Sequence, residues 1–411
     1  MNEQQGPQTD LAAFLEPFGT LVRRAESREA LEHYVTGLMA ELPRKTATEI
    51  ARAIPDAGSQ RLQEFLTRTS WEPEAMGAMR VREMVRFATA APGWLVLGRT
   101  AFVKKGAHSV GVERQAARVG GREENCQLLV TSHYVDDLFA WPVAGRLYLP
   151  ASWAADSRRR EAAHVPAEVA YEPCGRLALR VVEESLRAGV PVRGVIVPAV
   201  LADGALLDGL TARSLPFIAE LESEEGFVEL RDAGTAPERL PGLGPTADGA
   251  PADDGWERIA WRGSADGASV REFSRVRVRR RWAGRLTADG WMVRERPVAG
   301  HHGATRHYHA WELDEMPLPA MVRAAKMTSA LDSFYDRARR ELGLADYEGR
   351  LWSGFHRHVA LVMLAESFRL LRRGYGDLIE PADGRRRRRE PRPRRAAAPP
   401  AIAAAQEESA A

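Results

Sequence analysis

Apolar positions recur at three- and four-residue intervals through "LAAFLEPFGTLVRRAESREALEHYVTGLMAEL", "TATEIARAI" and "SQRLQEFLTRTSW". That period is one face of an α-helix, so it predicts a helical N-terminal domain over residues 1–90, with helix starts at Thr46 or Thr48 and at Ser59. The pattern then changes. "GWLVLGRTAFV", "NCQLLVTSHYV" and "LFAWPVAGRLYLP" read as short strands separated by Gly-rich or Asp-Asp turns. "ALRVVEESLRAGV" reads as an amphipathic helix, and "VRGVIVPAVL" as a strand buried in a sheet. Strands, a helix and another buried strand predict the first part of an α/β layered core over residues 91–221. Within residues 222–313 a Pro/Gly/Asp loop precedes "WERIAWRG", "SVREFSRVRVRRRWAG", "GWMVRERPV" and "RHYHAWEL", whose alternation predicts an antiparallel β insertion. Helical spacing returns after Pro317 and Pro319, so residues 314–376 are expected to complete the core.

Composition narrows the class. The 411 residues are 45% hydrophobic and 28% charged, which suits a globular protein with two or three units. No apolar run approaches the roughly 18 residues of a membrane span, and the polar, acidic start lacks a secretory pattern, so a cytoplasmic protein without a membrane partner is expected. Cys126 and Cys174 lack CxxC or Cys/His spacing and read as packing residues rather than a disulfide or zinc site. His301, His302, His307 and His309 in "HHGATRHYH" suggest a metal cluster, but no Cys or carboxylate stands at matching ligand spacing, and no metal is assigned to them. The tryptophans read as core residues rather than base-stacking platforms. The net charge is +2, yet Arg385, Arg386, Arg387, Arg388 and Arg389 fall together in the tail, residues 377–411, which is rich in Ala and Pro. Such a composition predicts a disordered basic arm, either a solubilising tail or a nonspecific phosphate clamp.

Candidate chemistry centres on "LVLGRTAFVKKG", Leu95 to Gly106, a buried strand entering a basic turn. Together with "ELPRKTATEIA", "FVKKGAHSVGVERQAARVGGREENCQ", "RLYLPASW", "RAGVPVRGVI" and "ELGLADYEGRLWSGFHRHVAL", it resembles the DDE-type transposases of bacterial insertion sequences, in particular the family numbered seven hundred and one. The resemblance covers most of residues 28–372 and implies a ribonuclease-H-like core with a β insertion. It also implies cleavage of transposon ends by three carboxylates holding two magnesium or manganese ions about 4 Å apart. The first family acid falls at Gly98 and the second at Pro198. The third falls at Asp332, one methylene shorter than the family's Glu, with Arg339 at the family's lysine. Asp203, Asp136, Asp137, Glu123 and Glu124 lie nearby, but each reads more simply as a turn or loop acid.

The basic positions are better preserved than the acids. Lys104, Lys105, Arg114, Arg118, Arg122, Arg339, Arg350 and Arg357, with His356 and His358, form one candidate phosphate track. Arg277, Arg279 and Arg281, alternating after Arg275, form a cationic strand face, or a charged edge guarding against aggregation. The resemblance thus implies a transposase-derived protein that binds double-stranded DNA, nucleoid-associated, without functional catalytic residues or a cofactor, as a homodimer or within a complex. Two readings stay open beside it: an active enzyme with displaced carboxylates, and a protein-interaction scaffold on the old fold.

Overall fold

The computed structural model describes residues 11–86, 92–117, 121–137, 139–222, 227–229, 238–239, 255–262, 268–282 and 285–373. The helices α1 (Leu11–Leu15), α2 (Ala25–Met39), α3 (Ala47–Ala53), α4 (Ser59–Thr67) and α5 (Pro73–Val85) come first. Local chemistry sets their starts. Thr46 caps α3, its side chain accepting the Glu49 N–H at 3.2 Å, and Pro73 opens α5 where a missing N–H costs nothing. The strands β1 (Gly93–Val103), β2 (Glu113–Ala116), β3 (Glu123–Val135) and β4 (Ala140–Leu147) follow. Next come α6 (Ala151–Ala155), α7 (Ser157–Ala162), α8 (Cys174–Arg187), β5 (Val192–Val197), α9 (Gly204–Thr211) and β6 (Phe217–Leu221). Then come β7 (Phe227–Glu229), β8 (Glu238–Arg239), β9 (Glu257–Arg262), β10 (Ala268–Trp282), β11 (Arg285–Arg296) and β12 (Arg306–Trp311). The chain closes on α10 (Leu318–Ala325), α11 (Thr328–Glu341) and α12 (Trp352–Arg373).

The described strands join in one mixed sheet. β3 pairs antiparallel with β1, and β4 and β2 pair antiparallel with β3 at successive positions along it. β5 lies parallel to β1, and β6 parallel to β5, each entered through a helical crossover. The order β4, β3, β1, β5, β6 therefore puts β1 at the centre, and Leu95, Val96 and Leu97 are fully buried there. The later strands continue this sheet: β12 pairs with β6, β11 with β12, and β10 with β11.

Helix α12 is buried on nearly all sides from Phe355 to Ser367 because it contacts β4 as well as α2, α4 and α5. Such a position demands apolar residues on every face and internal partners for the polar residues buried among them, here His356, Arg357, His358, Glu366 and Ser367. The N-terminal helices and the sheet consequently share one apolar core. Among the described residues no helix is long and apolar enough to cross a membrane.

Candidate functional site

The centre of β1 brings the positions of interest together. Gly98 stands beside Thr131 of β3, and Leu95 and Val96 stand beside Val195 and Ile196 of β5. Continuing that parallel register by two residues sets Pro198, which follows β5, alongside Gly98. Helix α11 lies over this point and carries Leu331, Asp332 and Tyr335. A Cβ added to Gly98 would overlap the Tyr335 hydroxyl and come within 2.7 Å of Leu331 Cδ2, so the space of a side chain at 98 is already filled.

The filling is specific. The Tyr335 hydroxyl hydrogen-bonds to Thr131 Oγ1 at 2.5 Å, and His133 Nε2 reaches the same Oγ1 at 3.2 Å. His133 packs edge-on against Phe334 with ring centroids 4.6 Å apart. Burial pushes the Tyr335 phenol well above its ordinary range and lowers His133 to about 3, so both groups stay neutral. A phenol, a hydroxyl and an uncharged imidazole thus occupy the centre, bounded by Leu331 and Phe334. Asp332 is exposed on α11, close enough for its charge to add to the upward push on Tyr335.

The neighbouring acids are engaged elsewhere. Asp203 caps α9, accepting the Leu206 N–H at 2.8 Å, and its carboxylate lies so near Gly175 at the start of α8 that a Cβ there would overlap it. Asp136 is buried in the turn after β3, accepting from the Phe139 N–H at 3.0 Å and the Tyr134 hydroxyl at 3.3 Å. Asp137 is exposed, and Glu123 and Glu124 are exposed on the first residues of β3. Divalent magnesium or manganese needs several oxygen ligands. The residues around Gly98 and Pro198 do not fit such an ion, because carbon and a neutral phenol occupy the first position and Pro198 has no side-chain oxygen. Among the described residues no group of three or more His, Cys, Asp or Glu side chains is placed to hold a metal ion.

The basic candidates divide into two groups. Lys105, Arg114, Arg122 and Arg350 are exposed, and the backbone ties their segments together. Asn125 Nδ2 donates to the carbonyls of Lys104 at 2.7 Å and Gly106 at 3.1 Å, Arg114 pairs across to Asn125, and the Val110 N–H donates to the Arg350 carbonyl. The second group is turned inward, contrary to a surface track. Arg357 is 8% exposed and donates to the carbonyls of Trp71 and Leu66, each at 3.1 Å. Lys104 Nζ donates to the Tyr347 carbonyl at 3.0 Å, and burial lowers its pKa. Arg339 is half-buried against β1, donating to Thr100 Oγ1. His356 and His358 are buried and hydrogen-bonded inside α12's packing.

On β10, Arg275, Arg277 and Arg279 are half-buried and Arg281 exposed. The face is largely neutralised: Arg277 pairs with Asp314 and Arg279 with Asp289 at 2.6 Å, while Arg275 and Arg277 both lie over the Trp291 ring. Arg280, on the other side, is buried against Asp208. His301 and His302 are exposed, whereas His307 and His309 are buried in β12, and the His309 ring lies between Phe217 and Phe227. Arg118 and Arg385 to Arg389, with the rest of the tail, lie outside the described residues.

Sequence reasoning missed Tyr335, Thr131 and His133. The available signal was a glycine inside an otherwise apolar buried strand, which marks close approach of another group.

With this central strand pair and its covering helix defined, comparison with known proteins gives the class: the chain belongs to the DDE superfamily endonuclease family, whose pattern it matches over residues 15–285. It is also similar to a protein of Microchaete diplosiphon named "Probable transposase for insertion sequence element IS701", with 28% identity over 133 residues. That match takes in 32% of this chain and 35% of the relative, so it spans about a third of the relative's length.

Proposed function

We propose that the chain is a transposase-derived DNA-binding protein on a ribonuclease-H-like core, and that it does not cleave DNA. Supporting the core is the strand order itself, three antiparallel strands followed by two parallel ones with β1 central. In this reading residues 91–221 and 314–376 form the core and residues 222–313 an insertion that prolongs its sheet. The observation that carries the loss of cleavage is the Tyr335–Thr131 hydrogen bond filling the space beside Gly98. A two-ion mechanism places one ion on the attacking oxygen and one on the leaving oxygen, and both need carboxylate ligands. One shortened, exposed acid at Asp332 does not supply them.

DNA contact is assigned to Lys105, Arg114, Arg122 and Arg350. These exposed cations suit phosphate, which gives affinity and position without sequence choice. The test is a gel shift and a plasmid-nicking assay on the same preparation in magnesium and in manganese. Retarded but intact DNA is expected. Metal-dependent nicking that disappears in Asp332→Asn would overturn the reading, and an absence of any shift at low salt would favour a protein-interaction scaffold instead.

A further inference from the structure

A cleft of about 330 Å³ opens between the start of α3, α4 and the loop at residues 346–349. That size suits a compact small molecule. Thr46, Thr48, Gln63 and Thr67 line it from the helical side, and Asp346 and Glu348 line it from the loop.

One buried group at its wall is unmatched. Tyr347 also lines the cleft and is 9% exposed, and its hydroxyl has no acceptor among the described residues. The Leu351 backbone N–H can only donate to that oxygen, and burial pushes the phenol well above its ordinary range, so its proton stays in place without an acceptor. A Cβ added to Gly349, another lining residue, would overlap the hydroxyl, and one added to Gly354 would meet both the hydroxyl and Thr67 Cγ2. The hydroxyl therefore lies at the cleft wall near Gly349 and Thr67. A buried donor without an acceptor is costly, and a ligand oxygen relieves it.

The other groups restrict what that ligand is. Both acids are already compensated: Glu348 Oε1 accepts from Arg44 Nη2 at 2.8 Å, and Asp346 Oδ2 accepts the Lys45 N–H at 2.8 Å, with the charges of Lys45 and Lys104 close by. A cation is therefore not required, and an anion meets two carboxylates. A flat nucleobase finds no stacking face, because Tyr34 is 1% exposed and the Tyr347 ring is stacked on His358 with centroids 5.6 Å apart. What the cleft offers is a close mixture of carboxylate oxygens, hydroxyls and the Gln63 amide, the last exposed and without a hydrogen bond among the described residues. Adjacent hydroxyls on one neutral ligand match such a mixture, because each both donates and accepts.

We propose that this cleft binds a neutral polyhydroxylated ligand of the monosaccharide class. One of its oxygens accepts the Tyr347 proton, Asp346 and Glu348 accept from neighbouring hydroxyls, and Gln63 bonds to it from α4. The inference is independent of DNA binding. It is tested by isothermal titration calorimetry of the full chain with D-ribose, D-xylose, D-glucose, D-galactose, D-mannose and N-acetyl-D-glucosamine, and with the free bases adenine and cytosine. Saturable binding of at least one sugar is expected, weakened about tenfold or more by Tyr347→Phe and by Gln63→Ala. Tyr347→Phe removes the hydroxyl alone, Gln63→Ala changes an exposed side chain, and circular dichroism checks that both variants remain folded. No saturable heat with any sugar, binding of the bases alone, or sugar binding that both variants leave unchanged would overturn the proposal.

Discussion

At the scale of single residues, Gly98 and Tyr335 are a complementary pair: one lacks the atoms that the other's hydroxyl and ring replace. Placing an acid at position 98 is therefore not a matter of one substitution. Gly98→Asp should lower stability by about 3 kcal/mol in urea denaturation, since it overpacks the centre and buries a carboxyl group against Tyr335 and Leu331. Combined with Tyr335→Ala, the loss should be less than the sum of the two single losses, with a favourable coupling of at least about 1 kcal/mol. Simple additivity would show that Tyr335 does not occupy that space in solution. The resemblance to the transposases singled out Gly98 and Pro198, because it implies acids at those positions. It did not disclose the occupant, since Tyr335 comes from a helix more than two hundred positions along the chain and only folding brings it onto β1.

At the scale of elements, two devices hold the core together. Arg80 on α5 is 1% exposed and covers the edge of β4, donating to the Val143 carbonyl at 2.7 Å and to that of Pro142. Burial lowers its pKa to about 9, so it remains charged at neutral pH. Arg80→Ala should cost about 3–5 kcal/mol in denaturant titrations, for two buried carbonyls lose their donor and a cavity forms. A loss below about 1 kcal/mol would mean that water replaces Arg80 at that edge.

The second device is the pair His356 and His358 on α12. His356 Nδ1–H donates to the Trp352 carbonyl at 2.9 Å, while Nε2 accepts the Leu147 N–H at 3.2 Å. His358 Nε2–H donates to the Gly343 carbonyl at 3.0 Å and Nδ1 accepts from the Tyr34 hydroxyl at 2.9 Å. Each ring is thus satisfied only when neutral, and burial lowers both to about 4. Between about pH 6.5 and 4 the unfolded chain binds protons that the folded chain refuses, so stability falls as pH falls through that window. Each histidine contributes up to about 1.4 kcal/mol per pH unit. Urea midpoints measured from pH 7 to pH 4 should decline, and His358→Gln should make the decline shallower. From the sequence these histidines looked like part of a basic track. Their helix gave little amphipathic warning, because helices cover it on one side and the sheet on the other.

At the scale of the whole molecule, most of the architecture followed from periodicity. Helical spacing marked the N-terminal and C-terminal segments and alternation marked the strands of β10 to β12, since those patterns arise from burial on one face. Pairing across long distances was less legible: nothing local shows that β12 adds to β6 and makes the later strands part of the same sheet. Charge was legible only as composition. Arg277, Arg279 and Arg357 found internal partners, and Lys105, Arg114, Arg122 and Arg350 did not bury. If the latter four contact phosphate, alanine at all of them should flatten the salt dependence of DNA affinity by about 0.9 in slope for each contact removed. An unchanged slope would place the DNA elsewhere on the molecule.

On the proposed function, the space beside Gly98 has too few oxygen donors for a pair of divalent ions. Titration of the purified chain with manganese, followed by electron paramagnetic resonance of the free ion, tests it most directly. No saturable site of micromolar affinity is expected, with or without DNA. Two bound ions per chain, lost together in Asp332→Asn, would contradict it.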